Sequence, residues 1–245
     1  MPRQSERLPK IDKINLKPGE LLAGKYEIIE RLGGGWEGEV YLVREKYVNI
    51  ERTAKLFYPH RNVRDRTRRF YAKKLHKLRR CPIIIQYHAQ ETLDYKGVPV
   101  QFLVSEYVPG DRLTQFIERQ PGKRLHPFQA LHLLYALAEG IECIHRHREY
   151  HGDLHADNII LQRHGLRFEP KVIDMFHWGS PSAENLQSDV IDLVHILYEA
   201  TGGRKHYSKQ PQVVKDICCG LKTSLIVKKF RNVYKLRQHL EELTW

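Results

Sequence analysis

No apolar run in these 245 residues approaches the ~20 that a membrane-spanning helix needs, so no membrane span and no membrane partner are expected. Cysteine is scarce. Its four occurrences, Cys81, Cys143, Cys218 and Cys219, include no CxxC pair and no zinc spacing. A disulfide framework is therefore not expected, and a reducing compartment is. The opening stretch MPRQSERLPK is charged and no apolar h-region follows it, which argues against a secretory leader. No internal repeat is present. These absences point to a soluble, cytoplasmic protein.

Acidic side chains are in the minority, 29 against 41 Lys and Arg, for a net charge of +12. The imbalance concentrates in HRNVRDRTRRFYAKKLHKLRR (60–80), which carries one acid, Asp65. This basic helix suits a nucleic acid, an acidic protein or an anionic lipid, and equally a solvated helix surface. No base-reading module is expected, because the aromatic residues are not spaced as a stacking platform.

What is present is enough apolar material, 41% of the chain, to build one substantial domain or two lobes. Residues 1–24 are polar, contain Pro2, Pro9 and Pro18, and read as a tail or loosely docked arm. From Tyr26 the runs YEIIERL, GEVYLV and RTAKLFY predict strands, followed by a basic helix over 64–79 and further strands at IIIQYHAQ and VQFLVSEYV. After the turn signal PGD the period becomes helical. Phe128, Leu131, Leu134, Ala138, Ile141 and Ile144 form one apolar stripe, and later helices are expected at 188–201, 211–221 and the end. A five-stranded half (25–107) and a mainly helical half (108–245) imply two lobes with a cleft between them.

Three segments carry chemistry. LGGGWEGEVYLV (32–43) puts glycines between two strands, where backbone N–H groups can fold over phosphates. In TAKLF, Lys55 faces the opposite side from Ala54 and Leu56, so its ammonium is available for phosphate oxygens or for solvent. In HGDLHADNII, Asn158 supplies a hard oxygen for Mg²⁺, as does Asp174 of KVIDMF, while Asp153 remains to orient a hydroxyl and accept its proton. His151 and His155 lack a third soft ligand at suitable spacing, so a zinc cage is not expected.

With these segments in this order, the sequence resembles the protein kinase-like superfamily over about residues 25–243, most closely a compact, bacterial-type Ser/Thr protein kinase. GGGWEGEV is similar to its glycine-rich loop, TAKLF to its lysine strand, SEYVPG to its hinge, HGDLHADN to its catalytic loop and IDMF to its magnesium-binding segment. SDVIDLVHILYEATGG resembles its buried helix, whose Asp189 would brace the catalytic loop. The resemblance implies an α+β, bilobal fold with one helix in the N-lobe and a reduced C-lobe. It implies ATP and Mg²⁺ as cofactors and a hydroxyl of a protein as acceptor. Gly33, Gly35 and Gly38 would cover the phosphates and Lys55 would hold two of them. Val40, Ala54 and Ile160 would sandwich adenine, with Glu106 and Val108 at its edge. Asn158 and Asp174 would ligate magnesium, Asp153 would position the acceptor, and His155 would approach the γ-phosphate.

Four departures stand out. The helix offers Lys55 no glutamate and places Tyr71 near that position. Gly152 replaces an arginine, and Phe176 stands where the DFG glycine would. Only HWGSPSAENLQ separates the Asp174 segment from the helix expected at Ser188. HGDLH also resembles aminoglycoside phosphotransferases, although the spacing from SEYVPG to HGD is that of a protein kinase. A scaffold without turnover and a small-molecule phosphotransferase are the alternative readings.

Overall fold

The computed structural model describes residues 10–165, 167–176 and 179–244. The chain divides into two compact units, Met1–Arg79 with Ile85–Tyr107, and Arg80–Ile84 with Val108–Trp245. Among the described residues no helix is long and apolar enough to cross a membrane.

The first unit is an antiparallel sheet with the order β1-β2-β3-β4-β6-β5. Its strands are β1 (Leu21–Leu22), β2 (Tyr26–Gly34), β3 (Gly38–Glu45), β4 (Ile50–Phe57), β5 (Tyr87–Tyr95) and β6 (Val98–Glu106). Period-two alternation sends Ile28, Tyr41, Val43, Ala54, Leu56 and Phe102 into one core. Phe57 and Leu103 form a second cluster with Tyr71 of α1 (Arg66–Lys77). This helix is less of a free basic face than its composition suggests. Arg68 is buried and pairs with Asp65 at 3.2 Å, and Lys74 is buried too.

Residues 10–24 are more than a polar arm, although residues 1–9 lie outside the described ones. Ile14 and Leu22 belong to the sheet core, and Leu21–Leu22 add a sixth, two-residue strand to the five expected. A buried carboxylate fixes them. Glu39 accepts from the Ile14 N–H at 3.0 Å, the Asn15 N–H at 3.2 Å, the Tyr58 hydroxyl at 3.2 Å and the Tyr41 hydroxyl. Burial alone would raise the Glu39 pKa, but these donors and Arg31 hold it below the usual value. Burial and the same carboxylate push both Tyr41 and Tyr58 up to about 12.

The second unit contains a small sheet, β7 (Asp111–Arg112), β8 (Ile159–His164) and β9 (Arg167–Val172), and the helices α2 (Leu113–Glu118), α3 (Pro127–Arg146), α4 (Ala183–Ala200), α5 (Gly203–His206), α6 (Gln212–Cys218), α7 (Thr223–Lys229) and α8 (Val233–Glu241). Helix α3 starts at Pro127 behind a His126 cap and buries Leu131, Leu134, Ala138, Ile141 and Ile144. Phe128, expected in that stripe, lies in the first turn and is exposed. Helix α4 buries Val190, Leu193, Val194 and Leu197 on one face and leaves Glu184, Ser188 and Glu199 exposed.

Two expectations need correction. The run IIIQYHAQ does not form one strand, because β5 begins only at Tyr87. Ile83 and Ile84 belong to the second unit: the Ile83 carbonyl accepts the Val172 N–H at 2.9 Å and Ile84 bridges Val172. Gly140 of α3 allows this, since a Cβ there would fall 2.3 Å from Ile83. The expectation of no disulfide fails as well: Cys81 and Cys143 are bonded, with Cα atoms 5.7 Å apart. They are 62 residues apart in sequence, so no local spacing could reveal the pairing.

Candidate active site

In the first unit the β2–β3 connection is a tight glycine turn, closed by the Gly35 N–H on the Gly38 carbonyl at 2.9 Å. Gly33 is paired with Val40 across the two strands. Gly38 is compulsory for packing, because a Cβ would meet the Leu56 carbonyl oxygen at 1.9 Å. Trp36 at the tip is exposed and has the Arg61 guanidinium 4.1 Å over its ring.

Lys55 lies opposite Val40 in the register, with Ala54 turned into the core beside it. Its ammonium donates to the Tyr71 hydroxyl at 3.1 Å, the contact expected from counting along the helix. It also donates to Glu37 Oε2 at 2.9 Å, and both side chains of that pair are largely shielded. Glu37 escaped the sequence reading. The clue was an acid beside the last glycine of GGGWEG, one turn away from a lysine with no helix carboxylate. Glu106 ends β6, its Oε2 accepting from the Gln86 N–H at 2.9 Å, and buried Val108 opens the long stretch of the second unit.

In the second unit the loop from His151 to Asn158 is built around Asp189, fully buried in α4. One Asp189 oxygen accepts from the His151 N–H at 2.8 Å and lies 2.9 Å from His145 Nε2; the other accepts from the Gly152 N–H at 2.9 Å. Burial would raise the Asp189 pKa, but the His145 contact and the backbone donors overcome it and keep the carboxyl below its usual value. The His151 ring threads two segments, with Nε2–H donating to the Ile173 carbonyl at 3.0 Å and Nδ1 accepting from the Asp153 N–H at 3.3 Å.

On this frame the Asp153 and Asn158 side chains meet. Asn158 Nδ2 donates to the Asp153 carbonyl at 2.9 Å, to Asp153 Oδ2 at 3.2 Å and to His155 Nε2 at 2.9 Å. Asn158 is buried, whereas Asp153 and His155 are about half exposed. The amide nitrogen is thus spent on the loop, and the amide oxygen is the atom left for a hard cation. Asp174 follows β9 with φ at +55°, a left-handed conformation that aspartate tolerates better than most residues. Ile160 lies one residue into β8 and is half-buried.

Asp192, one turn beyond Asp189 in α4, escaped the sequence reading too. Burial, and then the charges of Asp189 and Asp153, push its carboxyl up to about 7 despite a hydrogen bond from the Leu154 N–H. Below about pH 4 both folded and unfolded chains hold this proton; between about 4 and 7 only the folded one does. The folded state therefore gains stability from this group as pH falls from 8 towards 5. Asp192→Asn should raise the thermal midpoint at pH 8 and flatten that gain, as thermal melts across the range would measure.

Helix α4 starts at Ala183, not Ser188, so the segment after Asp174 is shorter than expected. Ser182 caps it, with Oγ accepting from the Asn185 N–H at 3.2 Å. The His177 and Trp178 part of the expected segment lies outside the described residues.

Comparison with known sequences identifies the family. Residues 26–211 match the family model of the protein kinase domain, and the chain belongs to that family. It is 27% identical over 205 residues to cyclin-dependent kinase B2-2 of Arabidopsis thaliana, covering 81% of this chain and 64% of the relative. It is 27% identical over 211 residues to the serine/threonine-protein kinase PrkC of Bacillus subtilis, covering 76% of this chain and 32% of PrkC. The chain therefore spans less than two thirds of these relatives. In fold it is similar to the PknI kinase domain of Mycobacterium tuberculosis, with a TM-score of 0.67 at 19% identity, covering 93% of this chain and 99% of the other.

Proposed function

We propose that the chain is an ATP-dependent protein kinase that moves the γ-phosphate to a serine or threonine hydroxyl. The observation that carries this reading is the Asp153–Asn158 pair held on buried Asp189. A decayed site has no physical need for a half-exposed carboxylate fixed by its neighbour's amide. In the reaction Asp153 accepts the proton of the acceptor hydroxyl, the acceptor oxygen bonds to phosphorus, and the bond to ADP breaks. Asn158 and Asp174 offer the hard oxygens that suit Mg²⁺, which when bound supplies charge neutralisation at the phosphates. The glycine turn and Lys55 hold those phosphates. Gly33, Gly35 and Gly38 line the turn, and His155 adds a polar contact for the γ-phosphate. Val40, Ala54 and Ile160 provide apolar surface for adenine, with the Glu106–Val108 backbone at its edge. The short segment after Asp174 and Gly152 in place of arginine favour an enzyme that needs no phosphate there.

A scaffold reading has two observations in its favour, the lack of a helix glutamate for Lys55 and the short segment after Asp174. Glu37 answers the first by supplying the carboxylate from the glycine turn. Lys55→Ala should cut phosphate transfer from γ-labelled ATP at least tenfold, equivalent to ~1.4 kcal/mol. Glu37→Gln should weaken Mg·ATP binding about three- to tenfold by calorimetry, the loss of a charge-assisted contact worth roughly 1 kcal/mol. Tighter binding in that variant would instead make Glu37 a competitor of the phosphates. No Mg·ATP binding by wild type would sink the kinase reading.

A further inference from the structure

We infer that Cys81, Cys143 and His147 form a thiol–disulfide exchange site in the second unit, attacked by small thiols at Cys143. The two sulfurs are bonded, while Cys218 and Cys219 remain thiols. Cys81 is fully buried and Cys143 is partly exposed, so an incoming thiolate reaches Cys143 Sγ and Cys81 becomes the leaving group. Charge favours the same direction. Cys143 sits in the last turn of α3, where the helix dipole disfavours an anion, and Cys81 lies off the helix.

His147 Nδ1 completes the site. It lies 2.8 Å from the Cys143 carbonyl oxygen, 3.6 Å from Cys81 Sγ and 4.0 Å from Cys143 Sγ. A carbonyl oxygen only accepts, so Nδ1 carries the hydrogen, and that N–H, held on the Cys143 carbonyl, is near enough to be shared with a thiolate on Cys81. The three side chains are close enough to hold a metal ion, but a protonated Nδ1 has no lone pair to give one.

The step balances with a dithiol as reductant. Its thiolate bonds to Cys143 Sγ, the Cys81–Cys143 bond breaks, and the electron pair stays on Cys81, which takes up a proton. The second thiol of the reductant then displaces Cys143, so the protein gains two electrons and two protons and the reductant leaves as a disulfide. Packing of Ile83 on Gly140 and the Ile84–Val172 bridge keep residues 80–84 in place, so exchange proceeds without unfolding.

The full chain, purified without reductant, should take up two alkyl groups when denatured with iodoacetamide and four after reduction, read by intact mass. In the folded protein dithiothreitol should reduce wild type at least about tenfold faster than His147→Ala, equivalent to ~1.4 kcal/mol. The thermal midpoints of the two oxidised proteins should agree. Glutathione should form a mixed disulfide that peptide mapping places on Cys143, a result that stands even if the variant fails to fold. Four alkylations before reduction, equal reduction rates, or glutathione on Cys81 would overturn the inference.

Discussion

Asp153→Asn should lower phosphate transfer at least about a thousandfold, some 4 kcal/mol of barrier, with little change in thermal midpoint. Asparagine keeps an oxygen that can accept from Asn158 Nδ2, now 3.2 Å from Asp153 Oδ2, so the loop retains its shape. Only the ability to take a proton is lost. Because the Asp153 side chain is half exposed, removing its charge strands no buried partner. The assay compares wild type and variant with γ-labelled ATP, Mg²⁺ and generic protein acceptors, alongside thermal melts. Equal background incorporation in both would establish the scaffold reading.

A larger effect on stability is expected from Asp189→Ala. The change deprives the His151 and Gly152 N–H groups of their acceptor and leaves His145 without its carboxylate. Breaking such a buried, charge-assisted set costs about 3–5 kcal/mol. At roughly 2–4 °C per kcal/mol for a chain of this size, the midpoint should fall by about 6–20 °C. Asp189→Asn retains one acceptor and should fall less. Its depressed pKa also fixes the sign of its pH dependence: the stability it contributes is present above the usual aspartate range and lost as pH falls below about 4. Acid should therefore unfold wild type more steeply than Asp189→Asn. Equal acid limbs would show that the brace is unimportant.

Much of the site was legible because its residues sit in short segments whose order is itself informative. Asp153 and Asn158 share one ten-residue segment, Asp174 stands in KVIDMF, and Lys55 is placed on the face opposite Ala54 by period two alone. Tyr71 was found by counting along a helix. What stayed hidden depends on contacts distant in sequence. Glu37 reaches Lys55 across 18 residues, Glu39 gathers Ile14 and Tyr58, and Asp192 owes its environment to a loop 39 residues earlier. The isoleucines of 83–85 misled for a related reason. Apolar β-branched residues signal burial, and only the packing partner decides whether burial takes the form of a strand.

The assignment of residues 80–84 to the second unit has a consequence for how the chain is made. Neither unit is a continuous stretch, so no single truncation can release either one intact. On the ribosome Cys81 and the isoleucines beside it emerge long before α3, and they wait for Gly140 and Cys143 while β5 and β6 complete the first sheet. Assembly of the two units is thus interleaved in time, not sequential. A gene split at 107/108, the natural-looking boundary, would yield a C-terminal half that lacks a piece of its own interior.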